Sequence, residues 1–224
     1  RFPTAHDYEY AIKRAADPAT ASDYAFMVTD YVKGAATFFA GEEGTSRDDV
    51  AVKALDDVTL EITWVAEFAA NNMIAGLWTY VAVPSWVIDG DEACDLESAA
   101  DLWATIEKIN TYGPYAAKEW IHDDSFTVIK NPYWPDDVEN VPQAQIEEVV
   151  FRILDSSAAL AEFEAGNLTG VNDIPTSELD RIKADPELSK AFSIGEDMCT
   201  YYFGFNTTAK FVDDARVRRA LSMA

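Results

Sequence analysis

The side chains that could perform acid–base or metal chemistry in this sequence are two histidines and many carboxylates. His6 and His122 are predicted to lie at a helix start and in a hairpin turn. Neither has a partner at a spacing typical of a metal site. The sequence contains no H-E-x-x-H, C-x-x-C or G-x-S-x-G motif, no glycine-rich phosphate loop and no calcium-loop pattern. We therefore predict no catalytic residue, no metal site and no cofactor.

The carboxylates are the remaining candidates for chemistry, because the chain has 40 Asp and Glu residues. The adjacent acidic pairs fall at predicted turns, where Asp is favoured by its local hydrogen bonds to the backbone. These pairs are Asp56-Asp57, Asp123-Asp124 and Asp136-Asp137. None has apolar sequence neighbours that would raise the pKa of a catalytic acid. A hydrolase that uses one carboxylate pair remains an alternative, and turnover of a substrate would favour it.

The composition excludes several classes of protein. The formal net charge of −23, from 40 acidic and 17 basic residues, argues against nucleic-acid binding and against anionic membrane surfaces. No run of 18 apolar residues is present, so we predict no transmembrane segment. A hydrophobic fraction of 49% and a charged fraction of 25% are typical of a globular protein.

The clearest local signals are one capped helix and one hairpin. Thr4 followed by Asp7 predicts a helix over 5–15, which Asp17-Pro18 ends. The runs 50–55 and 58–64 predict a hairpin. In its second strand the apolar side chains alternate with polar ones and should face inward. These inward-facing residues are Leu60, Ile62 and Trp64.

Further helices and strands are predicted along the rest of the chain. Helices are expected within 19–40 and over 68–77, 89–110, 155–165 (capped by Asp155 and ended by Gly166), 176–183 (capped by Thr176) and 213–224 (capped by Asp213). Strands are expected at 115–121, 126–130, 146–154 and 201–205. Because these elements interleave without a strict βαβ rhythm, the fold class is α/β of the mixed α+β kind, with inserted hairpins and flanking helices.

Eight sequence blocks, in order, resemble the extracellular solute-binding proteins of bacterial peptide ABC importers, and the oligopeptide-binding branch in particular. The blocks are PTAHDY (3–8), DPATAS (17–22), VKALDDVTLEIT (52–63), GPYAAKEW (113–120), IKNPYW (129–134), FEAGNL (163–168), MCTYYFGFNTT (198–208) and DDARVRRALSMA (213–224). They extend over nearly the whole chain.

The resemblance implies a periplasmic-binding-protein-like fold with two lobes, which this chain is expected to contain only in part. It implies an accessory subdomain of the first lobe at 1–111 and part of the main subdomain of that lobe at 112–198. Residues 199–224 are then the crossover strand and first helix of the second lobe. We expect 206–224 to be poorly packed, because Phe211, Val217, Leu221 and Met223 would lack the rest of that lobe.

The same resemblance implies a transport function and three binding residues. The protein would capture extended oligopeptides between two lobes and deliver them to the permease subunits of an ABC importer. Its location would be extracytoplasmic, in the periplasm or lipid-anchored on the outer face of the cell membrane. Tyr24 would reach the peptide with its hydroxyl, Asn172 in GVNDIP would line a pocket, and Tyr202 would border the cleft.

Two cysteines and the choice of ligand complete the expectations. In the resembling proteins, the cysteine at the position of Cys199 commonly pairs with one in the second lobe, so Cys94 and Cys199 are not expected to be bonded to each other. The ligand could instead be a nickel chelate, an opine or a sugar, because one fold serves many ligands. A signalling or adhesion protein on the same scaffold is a further alternative.

Overall fold

The structure is a computed structural model of the 224-residue chain and describes residues 2–67, 81–135, 138, 141–195 and 202–224. It forms two compact units, Arg1–Leu154 and Asp155–Ala224, each with its own internal contacts. The predicted helix over 68–77 lies outside the described residues. The expected boundaries at 111 and 198 stay a prediction.

The first helix, α1 (Ala5–Ala15), begins at the predicted capping box. The Thr4 backbone N–H donates to the Asp7 carboxylate at 2.8 Å, and the Thr4 hydroxyl donates to the same oxygen at 3.2 Å. Asp7 is fully buried, and its second oxygen accepts a hydrogen bond from the Ser85 hydroxyl at 2.7 Å. One carboxylate therefore caps α1 and attaches it to a segment 78 residues further along the chain.

A hairpin packs against α1 and forms the main core with it. Strands β1 (Val52–Asp56) and β2 (Thr59–Ile62) pair antiparallel, as predicted. Glu9 on α1 accepts a hydrogen bond from the Ala54 N–H at 2.7 Å, and the Ala5 N–H donates to the Asp57 carbonyl at 2.8 Å. The buried cluster consists of Ile12, Ala16, Val28, Val32, Ala35, Val50 and Val52. Leu60, Ile62 and Trp64 are partly buried against it, which confirms the predicted inward face of the second strand.

Two short helices, α2 (Phe26–Thr29) and α3 (Ala35–Phe39), complete this core within the predicted helical stretch. Gly34 precedes α3 with φ of +80°, and a Cβ there would lie 2.0 Å from the Asp49 carbonyl oxygen. Only glycine fits this close approach, so Gly34 allows the chain to turn beneath the loop that leads into β1.

The prediction of a mostly helical 89–110 is wrong. Helix α4 (Ser85–Ile88) ends before it, and the segment forms a 3₁₀ turn at Glu92–Cys94, a bridge between Asp91 and Leu96, and further turns. Gly90 and Asp95 adopt positive φ angles of 79° and 52°, which interrupt a right-handed helix. The sequence also places acidic residues four apart, and like charges at that spacing destabilise a helix.

The second sheet of the first unit has the strand order β3-β4-β5 and is antiparallel throughout. Its strands are β3 (Tyr115–Ile121), β4 (Ser125–Lys130) and β5 (Glu148–Arg152). They confirm the second predicted hairpin and the strand predicted within 146–154. Three ion pairs cross this sheet or its turn, namely Lys118–Glu148, Lys130–Glu147 at 2.6 Å and Arg152–Asp124 at 3.1 Å.

The second unit is helical in its described part. Its helices are α5 (Ser156–Glu164), α6 (Leu179–Ala184), α7 (Leu188–Ala191) and α8 (Ala215–Met223). Asp155 caps α5 by accepting from the Ser157 and Ala158 N–H groups, and Gly166 follows the helix with φ of +80°, as predicted.

Three details of the second unit differ from the sequence predictions. The helix predicted from Thr176 begins as a 3₁₀ turn at Thr176–Glu178, and Thr176 does not cap it. Helix α8 is capped by Asp214 rather than Asp213. Residues 202–205, the described part of the strand predicted at 201–205, are not in a strand.

The end of the chain is poorly packed, as expected. Helix α8 has no buried residue, and Phe211, Leu221 and Met223 are exposed. Helix α8 is amphipathic, and its apolar stripe is not covered within the described part of this unit.

We predict that Asp7→Ala lowers the free energy of unfolding by roughly 2–4 kcal/mol, because it removes the cap of α1 and a buried, charge-assisted hydrogen bond. Asp49→Ala is the matched control, since Asp49 forms a second capping box with Ser46 but is exposed. The Asp49→Ala control should lower the free energy of unfolding by only about 0.5–1 kcal/mol. Urea unfolding measures both variants, and equal losses would contradict the role assigned to Asp7.

A second prediction concerns Tyr10, whose pKa is raised to about 12 by burial and by the hydrogen bond that its hydroxyl donates to Asp89 at 2.6 Å. The folded chain holds this proton more tightly than the unfolded chain, where the pKa is about 10. The resulting stability is therefore complete below pH ~10 and is lost as the pH rises towards ~12. Urea unfolding across this range should show a steeper loss for the unmodified chain than for Tyr10→Phe. The assignment would be refuted if the unmodified chain and Tyr10→Phe lost stability equally as the pH rises. Tyr133→Phe, which changes an exposed tyrosine, is the control.

Candidate functional site

A concave site among the described residues lies within the second unit. It is an open cavity of about 480 Å³ between α5, α6 and the segments that flank them. Its walls combine apolar side chains with a few polar groups. The lining residues are Leu160, Phe163, Thr169, Gly170, Val171, Asn172, Asp173, Ile174, Leu179, Ile182, Leu188, Ala191, Phe192, Ser193, Ile194 and Gly195.

Buried residues of two helices form the floor of this cavity. Leu160 on α5 and Ile182 on α6 are both buried, and both line the cavity. Phe163 follows Leu160 by one helical turn and presents its ring to the same side. The position of the cavity thus follows from the apolar faces of α5 and α6.

Charged groups tie the helices around the cavity. Arg181 pairs with Glu164 on α5 and with Glu178 at 2.6 Å. The pKa of Arg181 is raised by its hydrogen bonds to these two carboxylates, so the guanidinium stays charged. Asp185 accepts from the Leu188 and Glu187 N–H groups, which lower its pKa and fix the start of α7. These groups are exposed or half-exposed, so they orient the helices more than they stabilise them.

The cavity is suited to binding a ligand rather than to catalysing a reaction. Asn172 can donate and accept hydrogen bonds, Asp173 and Ser193 add polar groups, and the remaining walls are largely apolar. Lys183 lies 6.0 Å from the centre of the Phe192 ring, so a cation stands beside one aromatic wall. Among the described residues, no cluster of three or more His, Cys, Asp or Glu side chains is arranged to hold a metal ion.

The three predicted binding residues are distributed between the two units. Asn172 lines the cavity. Tyr202 belongs to the same unit but is 80% exposed and does not line the cavity. Tyr24 belongs to the first unit, is partly exposed, and lies 6.0 Å from the ring of Phe26, which is itself half exposed. Their roles in ligand binding stay predictions.

Sequence reasoning found Asn172 but missed most of the cavity around it. Phe163, Ile174 and Phe192 come from three separate segments, and only the tertiary structure brings them to one site. The spacing of Leu160 and Phe163 on a predicted helix was the one available signal, because it indicates an apolar helix face.

Cys94 is exposed and carries a free thiol, with its sulfur 3.7 Å from the Asp91 carboxylate. Cys199 lies outside the described residues. The free thiol of Cys94 agrees with the expectation that the two cysteines are not bonded to each other.

Comparison with known proteins defines the class to which this arrangement belongs. The family model described as "Bacterial extracellular solute-binding proteins, family 5 Middle" matches residues 3–224. The chain belongs to this family of extracellular solute-binding proteins. This result confirms the resemblance derived from the sequence blocks.

Individual relatives agree with the family assignment. The chain is 31% identical over 224 residues to the oligopeptide-binding protein OppA of Bacillus subtilis, covering 98% of this chain and 38% of the relative. It is 27% identical to the periplasmic oligopeptide-binding protein OppA of Salmonella typhimurium, covering 99% of this chain and 38% of the relative. The chain therefore spans well under half the length of these relatives.

Solved structures confirm the fold class. The chain superposes on OppA of Burkholderia pseudomallei with a TM-score of 0.78 and 24% identity, covering 98% of this chain and 40% of that one. It superposes on a periplasmic oligopeptide-binding protein of Borrelia burgdorferi with a TM-score of 0.74 and 22% identity, covering 98% of this chain and 41% of that one. The mixed α/β, periplasmic-binding-protein-like fold is thereby shown for the part of the fold that this chain covers.

No helix in the described part of the chain combines the length and the apolar character that crossing a membrane requires.

Proposed function

We propose that this chain forms part of the substrate-binding component of an ABC peptide importer, which captures oligopeptides and delivers them to a membrane permease. The observation that carries the proposal is the family match over 3–224 together with relatives named as oligopeptide-binding and dipeptide-binding proteins. Because those relatives are more than twice as long, the proposal concerns the complete protein that contains this sequence.

The physical features of the second unit support peptide binding. An extended peptide offers main-chain N–H and C=O groups at every residue, which polar groups and sheet edges recognise without regard to sequence. The amide of Asn172 can meet such groups, and the cavity of about 480 Å³ lies in the size range of small-ligand sites. Its apolar walls would accommodate a peptide side chain.

The proposed role requires no chemical step by the chain. The relatives are named as binding proteins, and the described residues include no group of three or more His, Cys, Asp or Glu side chains that could hold a metal ion. We infer that the protein is not an enzyme and that it acts outside the cytoplasm, in the periplasm or anchored by lipid to the outer face of the cell membrane. Two of the relatives are themselves named as periplasmic proteins.

A binder of a different solute is the second candidate. One relative, 27% identical over 220 residues, is named a probable deoxycholate-binding periplasmic protein of Escherichia coli. The apolar walls formed by Phe163, Ile174 and Phe192 would suit such an amphiphile as well as they suit a peptide side chain.

We predict that the 224-residue chain alone binds peptides weakly or not at all, because a ligand enclosed by two lobes loses about half of its contacts when one surface is missing. Calorimetry with a mixed peptide library measures this, and deoxycholate is titrated in parallel. The protein made from the complete reading frame should bind peptides at micromolar concentrations or below. Micromolar binding by the 224-residue chain would contradict the prediction, and binding of deoxycholate but no peptide by the complete protein would replace the proposed function.

Variants of the complete protein test the three predicted contacts. Tyr24→Phe, Tyr202→Phe and Asn172→Ala should each weaken peptide binding about two- to tenfold, as expected for the loss of one hydrogen bond. Tyr133→Phe is the control, because it removes a hydroxyl from a tyrosine that is 84% exposed and that we assign no role in binding. Unchanged affinity in all three variants would remove these residues from the site.

A further inference from the structure

Asp173 is the only ionisable side chain among the described residues that line the cavity of the second unit. It directly follows Asn172 in the segment 169–174, all of which lines the cavity. Both side chains are exposed, so a ligand that enters the cavity can reach them. The other lining residues are apolar, or polar and neutral like Thr169 and Ser193. The described part of the wall therefore carries one negative charge and no positive charge.

The ion pairs described in the second unit engage carboxylates other than that of Asp173. These pairs are Arg181–Glu164, Arg181–Glu178, Lys190–Glu187 and Arg216–Asp214. The ammonium group of Lys183 lies 6.0 Å from the centre of the Phe192 ring, and Lys183 does not line the cavity. None of the basic residues in these contacts is a lining residue, so they leave the negative charge of Asp173 to face the ligand.

A carboxylate beside apolar walls matches the shape and the charge of a lysine or arginine side chain. Such a side chain packs its methylene groups against apolar surface and keeps its charged end at a polar group. The charged end would donate hydrogen bonds to the Asp173 carboxylate, and hydrogen bonds between two charged groups are stronger than neutral ones. The neighbouring amide of Asn172 would meet the peptide main chain, which holds the side chain in place.

The same carboxylate acts against ligands that carry a negative charge in the cavity. A peptide glutamate or the carboxylate of deoxycholate would bring a like charge close to Asp173, and repulsion of this kind gives specificity by weakening the wrong complex. The chain as a whole carries a net charge of −23, so its overall field has the same sign. The local charge and the overall field therefore both favour cationic ligands.

We propose that Asp173 is a specificity-determining residue, which makes the complete protein prefer peptides with a lysine or arginine side chain at the position that enters this cavity. The inference rests on the proposed function of peptide binding and names the class of peptide. It assigns Asp173 a contact with a ligand side chain, whereas the contacts of Asn172 with the main chain would be common to all peptides.

The test measures how the complete protein binds alanine pentapeptides with free termini and one substituted position. The substituted residue is Lys, Met or Glu, and it is moved through the three internal positions, so the terminal charges stay constant. At one position, calorimetry should give an affinity about tenfold higher for Lys than for Met, and about tenfold lower for Glu than for Met. This preference should shrink when salt is raised from about 0.05 M to about 0.5 M, because ions screen the charges.

Two matched variants assign the preference to one carboxylate. Asp173→Asn should bind the Lys and Met peptides with equal affinity and should leave the affinity for the Met peptide unchanged, which also verifies that the variant is folded. Asp180→Asn is the control, because it removes the same charge from an exposed residue of α6 that does not line the cavity. The Asp180→Asn variant should keep the full preference for Lys.

The outcomes separate this inference from the proposed function. If peptides bind but Lys, Met and Glu give equal affinities at every position, the inference is wrong and the proposed function stands. The same holds if Asp173→Asn keeps the preference, or if it weakens all peptides equally, since Asp173 would then contact a group that every peptide shares. If the complete protein binds none of the peptides, the proposed function fails and this inference fails with it.

The salt dependence of the unmodified protein provides a check that needs no variant. A preference for Lys that is unchanged between low and high salt would not arise from the charge of Asp173, and it would overturn the inference.

Discussion

The first unit depends on the buried carboxylate of Asp7. A carboxylate that is shielded from water needs hydrogen-bond donors from the protein, because leaving it unpaired costs several kcal/mol. Asp7 meets that requirement by accepting from Thr4 and from Ser85, which lie before α1 and at the start of α4. The start of α1 is therefore determined by the same interaction that brings residues 78 positions apart together. The apolar contacts between α1 and the β1–β2 hairpin then form around a helix whose position is already specified.

The second unit shows how a binding cavity arises from ordinary helix packing. Leu160 and Ile182 are buried side chains of α5 and α6 that line the cavity, and the irregular segment that contains Asn172 and Asp173 lines it as well. Arg181 joins the two helices through carboxylates on both sides. The polar groups of the cavity come from loops, and its apolar walls come from helices and loops together. This arrangement agrees with membership in a family of solute-binding proteins.

The acidic composition and the local charge balance of the β3–β5 sheet act at different distances. A net charge of −23 keeps the chain dispersed, but salt screens its field beyond about 8 Å under physiological conditions. At contact distance, only the local charges matter, and the sheet pairs each of its basic residues with a carboxylate.

The sequence by itself determined the features that depend on neighbouring residues. Thr4 with Asp7, Asp155 with Gly166, and the alternation of Leu60, Ile62 and Trp64 each act within a few residues, so helix limits and the inward face of a strand could be predicted. The sequence blocks were sufficient to place the chain in its family. Local reasoning failed at 89–110, where Gly90 and Asp95 adopt positive φ angles that an apolar pattern does not reveal. Only the tertiary structure could bring Phe163, Asn172 and Phe192 to one cavity, because that depends on which separate segments of the chain pack together.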